Sequence, residues 1–308
     1  MRTHQAHRGR AVAAAVITEF FYGISFIFTK DATTRVDPFT LLGWRFLVAL
    51  VVLLLLWALR VIRLRITAAT LRPLLVLALL QPVLYYVGET FGVARTTASE
   101  SGLIISAIPV VALLASVAVL RVHPTRPQVV GILVTLAGVV LTVVASGLSA
   151  GFDAWGYLYL VAAVVSYSLY SVFAQLWSHA REIDKTFVMV ASGAIVFGGV
   201  TVGRHAADGT LVTLATLPAH DLRFGGSVLF LALGPTIAAF FLQNVAIGTL
   251  GSNGYATFIG LSALIAVLSG SLVLGEHLGA GQWVGGVLIL GGVYVANRRR
   301  PLVPAVPT

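Results

Sequence analysis

Long apolar stretches alternate with short polar or basic connections along almost the whole chain. A helix needs about 20 mostly apolar residues to cross a membrane, and ten stretches approach or exceed this length. Several connections contain only a few residues, so we expect neighbouring helices to run antiparallel. The ten predicted spans are Ala11–Thr29, Phe39–Leu59, Leu74–Ala94, Ala98–Leu120, Val129–Ala145, Gly156–Leu176, Thr186–Val202, Phe224–Gly248, Gly254–Leu274 and Trp283–Ala296.

The composition also indicates a lipid environment. Apolar residues make up 58% of the chain and charged residues 10%, against roughly 45–50% and 25% in globular domains. A soluble fold of this size could not cover so much apolar surface with so few charges. The chain has no Cys, which excludes disulfides and thiolate chemistry. We therefore predict an all-α integral membrane protein with ten transmembrane helices.

The basic segment Met1–Arg10 precedes the first apolar stretch, so a signal peptide is the alternative interpretation there. Tyr22, Gly23 and Phe28 continue the stretch without a small-residue cleavage site. We therefore interpret this stretch as the first membrane helix.

The Lys and Arg residues of the connections predict the orientation, because basic residues in short loops favour the cytoplasmic side. With the N-terminus inside, 14 of them fall in inside segments and 5 in outside segments, while Arg45 lies within a span. Both termini are then cytoplasmic, and the expected location is the cell (inner) membrane. The longest outside loop, residues 203–223, contains Leu211, Leu214 and Leu217 and could lie on the interface as an amphipathic turn or helix. The net charge of +9 does not indicate nucleic acid, because it is spread over many loops.

The two halves of the chain resemble each other. Leu77-Ala78-Leu79 recurs as Leu231-Ala232-Leu233, 154 residues later. Each half has five spans, an odd number, so the second copy (residues 149–308) enters the membrane inverted relative to the first (residues 1–148). Inverted repeats are typical of secondary transporters, which hold substrate near the midplane between the repeats. At the same offset, Gln128, Val130, Gly131, Leu136, Gly138 and Val139 recur as Gln282, Val284, Gly285, Leu290, Gly292 and Val293.

Three motifs resemble a known family. Tyr22-Gly23-Ile24-Ser25-Phe26, followed by Lys30, Pro38 and Arg45, is similar to the start of an EamA-type transporter of the drug/metabolite transporter superfamily. Residues 94–99 leading to Pro109 resemble its third-to-fourth helix junction, and Leu274-Gly275-Glu276-His277-Leu278 resembles its ending. The resemblance implies ten helices, a central cavity lined mainly by the first, third, fourth, sixth, eighth and ninth spans, and export of metabolites or drugs.

The chain departs from this family pattern in two places. Val122 stands in the first half where the second half has Glu276. Pro109 has Ala263 as its counterpart, so we expect a proline hinge in one half only.

Glu19 is the first candidate for chemistry, because an ionisable residue inside a span costs about 2.5–3.5 kcal/mol on insertion scales. An enclosed carboxyl group can exchange protons near neutral pH. Small multidrug-resistance proteins, relatives in the same superfamily, place a key Glu in their first helix, which Glu19, Gly23 and Lys30 loosely resemble. The alternative is a structural Glu bonded to a neighbouring hydroxyl group or lying at the interface.

Glu89 is the second candidate. Gln81, Tyr85 and Glu89 recur every four residues, which predicts one polar helix face directed into the bundle. Gln243, the counterpart of Glu89 at the same offset, and Asn244 would present polar groups at the same depth. The alternative is a ladder of hydrogen bonds between helices.

Other residues complete the expected site and its frame. Glu100 is expected to cap the fourth span, and Arg45 is expected to be structural, at the outer end of the second span. Aromatic residues could form cavity walls or cation–π faces, although they also serve as packing or interface anchors. The aromatic candidates are Tyr22, Phe26, Tyr85, Tyr86, Tyr167, Tyr170 and Tyr255.

The remaining features predict packing rather than chemistry. His123 and His277 lie in loops on opposite faces, and the sequence shows no metal cluster, phosphate-binding loop or Ser/His/Asp set. We expect no cofactor and no metal. Glycines of the fifth and tenth spans predict close helix packing: Gly131, Gly138, Gly285, Gly286, Gly291 and Gly292.

The sequence therefore favours a secondary transporter that exports small amine-bearing molecules, such as amino acids or organic cations, with proton exchange as a candidate driving force. Its expected partners are a small-molecule substrate, protons and the bilayer, and it is expected to be a monomer with internal pseudo-symmetry. An uncoupled facilitator is the first alternative. A membrane-embedded enzyme is the second, although the chain lacks a concentrated set of His, Asp or Cys.

Overall fold

The computed structural model describes residues 2–120, 125–147, 153–177 and 180–297, and within these ranges it contains helices and no strands. We number the helices in chain order and count an interrupted helix once. They are α1 (Arg2–Thr33), α2 (Pro38–Ala58), α3 (Ala68–Arg95), α4 (Ala98–Ile105 and Ile108–Leu120), α5 (Arg126–Gly147), α6 (Ala154–Leu176), α7 (Glu182–Ala207), α8 (Leu211–His220), α9 (Leu222–Leu250), α10 (Ser252–Ala256 and Ile259–Leu274) and α11 (Ala280–Asn297).

The predicted ten-helix membrane fold is confirmed. Within the described ranges, nine helices carry a stretch long and apolar enough to cross a membrane. The tenth predicted span lies in α11, which has a shorter apolar stretch, Ala280–Ala296. Helix α11 packs against α5 over much of its length. Helices from both halves of the chain form one central core, in which α1 packs against α9 and α10.

Several helices extend beyond the predicted spans. Helix α1 begins at Arg2, α3 at Ala68 and α7 at Glu182. Hydropathy locates only the part of a helix in hydrocarbon, and the helix can continue through the polar headgroup region. The predicted repeat boundary between residues 148 and 149, Val122, His123 and the arginines at positions 298–300 lie outside the described residues.

A short helix occupies the predicted outer interfacial loop. In α8, Leu214 is buried, whereas Leu211 is exposed. Asp221 then caps α9 by accepting hydrogen bonds from the backbone N–H groups of Arg223 and Phe224. The Asp221 carboxylate also pairs with Arg35 at 3.0 Å, which ties the end of this loop to the connection after α1.

Proline introduces a wider turn in one helix of each half. Pro82 lies in a π-helical segment of α3, Leu79–Tyr85, and Pro235 lies in a π-helical segment of α9, Ala232–Ala238. Proline lacks an N–H group and crowds the carbonyl of the preceding turn, and one-turn π segments often mark functional sites. These equal segments start 153 residues apart, so by this register Gln243 corresponds to Thr90 and not to Glu89.

Helices α4 and α10 are both interrupted in their first half. The breaks lie at Ser106–Ala107 and at Thr257–Phe258. In each, a hydroxyl binds the carbonyl three residues earlier: Ser106 Oγ to Leu103 O at 2.6 Å and Thr257 Oγ1 to Gly254 O at 2.8 Å. Such side-chain bonds compete with the helical ladder. Helix interruptions therefore occur in both halves, although α10 breaks without a proline and Pro109 has no proline counterpart.

Glycines bring α5 and α11 into backbone contact. An added Cβ at Gly138 would lie 2.7 Å from Gly285 O, and one at Gly131 would lie 2.5 Å from Gly292 O. Because Gly285 and Gly292 are the repeat counterparts of Gly131 and Gly138, this interface is self-complementary, like that of a two-fold dimer. Two further predicted packing glycines behave differently: Gly286 faces Leu103 of α4, and Gly291 has no atom near its added Cβ.

Candidate functional site

Both buried acids of the sequence prediction line one cavity at the centre of the helix bundle. The cavity measures about 20 Å³ as space open to the centre of a water molecule, which is enough for about one water. The helices therefore close tightly around the site in this conformation. The lining residues come from α1, α3, α4, α6 and α10: Glu19, Tyr22, Ser25, Phe26, Tyr85, Tyr86, Glu89, Ile105, Ile108, Tyr167, Ile259 and Ser262.

Glu19 links the two halves of the protein. Its side chain is 1% exposed, and the Tyr255 hydroxyl donates a hydrogen bond to its carboxylate. Tyr255 stands two residues before the α10 break, and Ser262 follows the break on the cavity wall. The acid of α1 is therefore held by the interrupted helix of the other repeat.

Glu89 has a sparser environment. It is 2% exposed and accepts a hydrogen bond from Thr90 Oγ1 at 3.1 Å. Tyr85 and Glu89 both line the cavity, as the four-residue spacing predicts. Gln81 lies behind them, because the π-helical segment changes the angular position of residues that precede Tyr85.

A second layer of polar residues supports the cavity. The Tyr22 hydroxyl donates to Gln243 Oε1, Gln243 Nε2 donates to Gln81 Oε1 at 3.3 Å, and Gln81 Nε2 donates to the Tyr22 hydroxyl at 3.4 Å. This closed triangle joins α1, α3 and α9. Asn244 accepts from the Tyr170 hydroxyl at 3.0 Å and donates to a carbonyl of its own helix at 2.8 Å. Gln243 and Asn244 thus lie behind the cavity and do not form its wall.

Aromatic rings form a continuous series along one side of the site. Ring centroids are 5.1 Å apart between Tyr86 and Tyr85, 5.3 Å between Tyr85 and Tyr167, and 5.6 Å between Tyr167 and Tyr170. Pairs at this separation interact favourably, and their faces attract cations. Tyr85, Tyr86 and Tyr167 line the cavity, whereas Tyr170 stands behind it.

Arg45 is buried in the bundle, where it holds one of these rings. It is 1% exposed, its guanidinium lies 4.2 Å from the Tyr86 ring centroid, and its Nη2 donates to the Tyr86 hydroxyl at 2.9 Å. Its Nε donates to Thr236 Oγ1, in the π-helical segment of α9, at 2.7 Å. Arg45 therefore joins α2 to α3 and to the π-helical segment of α9, and it orients a wall of the site.

Comparison with known proteins establishes the family. The model of the EamA-like transporter family matches residues 9–144 and again residues 154–298. The chain belongs to the EamA-like transporter family. The two matched segments cover the two five-helix repeats, and the family is one of membrane transporters.

Three uncharacterized transporters align with nearly the whole chain. The uncharacterized transporter YcxC of Bacillus subtilis (strain 168) is 28% identical over 96% of this chain and 97% of its own length. YetK, another uncharacterized transporter of that organism, is 25% identical over 98% of this chain and 89% of its own length. An uncharacterized transporter of Archaeoglobus fulgidus is 24% identical over 92% of this chain and 97% of its own length. A solved crystal structure shares the fold, with a TM-score of 0.61 and 19% identity over 92% of this chain and 97% of that chain.

Glu276, part of the EamA-like ending, has a contact that the sequence interpretation missed. Its carboxylate accepts hydrogen bonds from Ala98 N at 2.8 Å, Ser99 N at 2.9 Å and Ser99 Oγ at 2.6 Å. It therefore caps the start of α4 from the opposite repeat. Gly275 has φ of +68°, which ends α10 and turns Glu276 back towards α4. The Leu274-Gly275-Glu276 motif of the EamA-like ending was the available signal in the sequence.

The surrounding residues complete this contact between α4 and α10. Lys30 Nζ donates to Val93 O at 3.1 Å and Ala94 O at 3.2 Å, at the end of α3. Glu100 forms the expected cap with Thr97, as a reciprocal capping box, and Gln282 also donates to it. Pro109 lies in the first turn of the second α4 segment, where a proline is well tolerated.

Among the residues that the structure describes, no group of three or more His, Asp or Glu side chains could hold a metal ion. The polar groups of the central site are carboxylates, phenols and amides. This set can bind a cation, accept and donate hydrogen bonds, and exchange protons.

Proposed function

We propose that this EamA protein is a secondary transporter that exports small amine-bearing molecules, such as amino acids or organic cations, by alternating access. The observation that supports this most is that Glu19 and Glu89 line one cavity together with tyrosine rings. A carboxylate attracts an ammonium group directly, and aromatic faces add cation–π attraction. The broken helices α4 and α10 beside this cavity are typical of transporter sites.

Proton exchange is the proposed driving force. A proton and a cationic substrate that compete for one carboxylate exclude each other. Proton binding therefore displaces the substrate, and the carrier returns with the proton. Two carboxylates in one cavity can bind a substrate and a proton in turn. Glu19 is the first candidate for the coupling group, because Tyr255 links it to the interrupted helix of the other repeat.

The protein is proposed to lie in the cell (inner) membrane. The proposed orientation places both of its termini in the cytoplasm. The end of the bundle that carries Arg63, Arg65 and Arg181 would face inward, since basic loops favour that side. Reporter tags at the N- and C-termini should both be accessible from the cytoplasm only. A periplasmic C-terminus would contradict an even number of spans.

The decisive experiment uses purified protein in proteoliposomes with an imposed pH gradient. Glu19→Gln and Glu89→Gln keep size and hydrogen bonding but cannot titrate, and Asp208→Asn is the control at an exposed outer position. A panel of organic cations and amino acids first identifies a substrate by thermal stabilisation. At least one Gln variant should lose gradient-driven accumulation, whereas Asp208→Asn should keep it.

The same experiment separates the alternative function. An uncoupled facilitator would equilibrate substrate at the same rate with or without the gradient, in the original protein and in both Gln variants. Substrate binding to the coupled protein should release protons, and the coupling variant should release none. If both Gln variants still concentrate substrate with unchanged pH dependence, neither acid couples protons.

A further inference from the structure

A second, larger space lies at the end of the bundle that carries Arg63 and Arg181. This crevice, with a volume of about 620 Å³, lies between α2, α7, α9 and the connection after α2. Its volume is within the range of about 300–1,000 Å³ that is usual for ligand sites. The apolar wall consists of Leu53, Leu56, Ile183, Ile237 and Phe241.

The mouth of the crevice is basic. Arg181 Nη1 donates to the backbone carbonyl of Arg63 at 3.0 Å, which brings the two residues together at the rim. Arg181 lies 4.0 Å from Asp184, which is the limit of an ion pair. Within the described ranges, Arg63 forms no ion pair.

The acidic groups nearby have further contacts of their own. Asp184 Oδ1 accepts a hydrogen bond from the backbone N–H of Arg65 at 3.0 Å. The carboxylate of Glu182, the one acidic residue of the lining among those described, lies beside Gly248 of α9. Lys185 is buried one helical turn from Arg181, and its positive charge offsets the negative charge of Glu182. The two arginines are therefore the groups that a ligand would meet at the mouth.

We propose that this crevice binds an anionic phospholipid, with an acyl chain along the apolar wall and the phosphate at Arg63 and Arg181. Guanidinium groups bind phosphate oxygens in bidentate fashion, and basic pockets between membrane helices on the cytoplasmic side are suited to anionic headgroups. The charge at the mouth favours this occupant over a cationic amphiphile. The site is separate from the central cavity.

The crevice reaches the π-helical segment of α9. Ile237 lines it, and the adjacent Thr236 binds the buried Arg45 on the other side of that segment. A lipid seated here contacts an element that also positions the wall of the central site. Bound lipid therefore stabilises the conformation in which this segment and Arg45 are in contact.

The test is lipid retention by the purified full-length protein, measured by native mass spectrometry without any transport substrate. Phosphatidylglycerol and phosphatidylcholine with identical acyl chains are the two probes. The variants are Arg63→Gln/Arg181→Gln, which removes the basic mouth, and Ile183→Trp, which fills the apolar wall. Arg72→Gln is the matched control, because Arg72 is exposed at the same end but outside the crevice.

The original protein and Arg72→Gln should retain phosphatidylglycerol in preference to phosphatidylcholine. The double Gln variant should bind phosphatidylglycerol roughly tenfold or more weakly, since charge-assisted bonds are lost, and Ile183→Trp should retain neither lipid. Added phosphatidylglycerol should raise the thermal unfolding temperature of the original protein but not of the double variant, which keeps the test valid if Ile183→Trp fails to fold.

Equal retention of both lipids, or undiminished phosphatidylglycerol binding by the double variant, would overturn the proposal. Equal stabilisation by inorganic phosphate would show a simple anion site, and displacement by a cationic amphiphile would show a substrate entrance. No step of this test depends on transport, so its failure and the failure of the proposed function are distinguishable.

Discussion

The hydroxyl of Tyr255 donates a hydrogen bond to the carboxylate of Glu19 across the interface of the two repeats. Both side chains are buried, at 0% and 1% exposure. Removal of one partner of a buried bond leaves the other unsatisfied. Under the proposed function, an ammonium group that binds Glu19 would share the carboxylate with this phenol. The contact therefore connects occupation of the site with the position of α10.

Tyr255→Phe should weaken transport and should lose its effect when Glu19 is already changed. The variant keeps the ring but removes the donor. We expect an interaction free energy of about 0.5–3 kcal/mol between Tyr255→Phe and Glu19→Leu, which removes the acceptor; this is the range for contacting residues. Initial transport rates of the two single variants and the double variant measure it. Tyr294→Phe, on an exposed face of α11, is the control, and strictly additive effects would show that the contact has no role in transport.

Glu276→Ala should destabilise the protein by separating α10 from the start of α4. Three hydrogen bonds to a charged acceptor are lost, and one such bond contributes about 1.5–3 kcal/mol. Unfolding by denaturant in a mild detergent measures the change. The neighbouring His277→Ala, at an exposed position, should have little effect. Equal stability of the two variants would contradict the cap.

Gly138→Ala and Gly291→Ala should have opposite effects, although both lie in the paired helices. A methyl group at Gly138 would meet Gly285 O and Ile289 N at 2.7 Å, whereas at Gly291 it would meet nothing within 4 Å. Overpacking costs about 1–3 kcal/mol, while Ala favours a helix over Gly by about 1 kcal/mol. The thermal unfolding temperature should fall for Gly138→Ala and should be unchanged or rise for Gly291→Ala. A loss for both would indicate a backbone requirement at each position.

The ion pair between Arg95 and Asp153, at 2.8 Å, should give a pH-dependent contribution to stability. The Arg95 guanidinium and the backbone N–H groups at the start of α6 hold the pKa of Asp153 below its usual value of 3.8. A carboxyl with a depressed folded-state pKa contributes stability above its unfolded pKa and loses it as the pH falls through the folded value. The unfolding temperatures of the original protein and Asp153→Asn should therefore differ most near neutral pH and converge in acid. Arg95→Gln should show part of this loss, and a difference that persists in acid would refute the assignment.

Hydropathy and arginine placement were sufficient to predict the ten membrane helices, because the cost of burying charge in lipid constrains every span. They could not locate the helix interruptions. The α10 break lies at Thr257, whose hydroxyl bonds to Gly254 O, and nothing in the sequence distinguishes this threonine from others. The prolines that mark the π-helical segments, Pro82 and Pro235, were visible, but their 153-residue separation differs from the offset of the clearest repeats.

The central site was predictable to the extent that it contains ionisable residues, which are energetically costly inside a membrane span. Glu19 and Glu89 stand out in apolar surroundings, and the structure brings them to one cavity. The supporting contacts were not predictable, because Tyr255 and Thr236 meet their partners through tertiary packing. Arg45 was expected at the outer end of α2, yet its guanidinium reaches inward to Thr236 and Tyr86.

The close pairing of α5 with α11 also determines which parts of the protein can move. Alternating access requires one repeat to rock against the other. At Gly138 and Gly285, however, the backbones of these two helices are in direct contact. Sliding or separation there would break contacts that no side chain could replace. We expect the last helix of each repeat to remain stationary as a shared pivot, while the four preceding helices on each side swing about it. Distances measured between spin labels on α5 and α11 should then be the same with the carrier open to either side of the membrane.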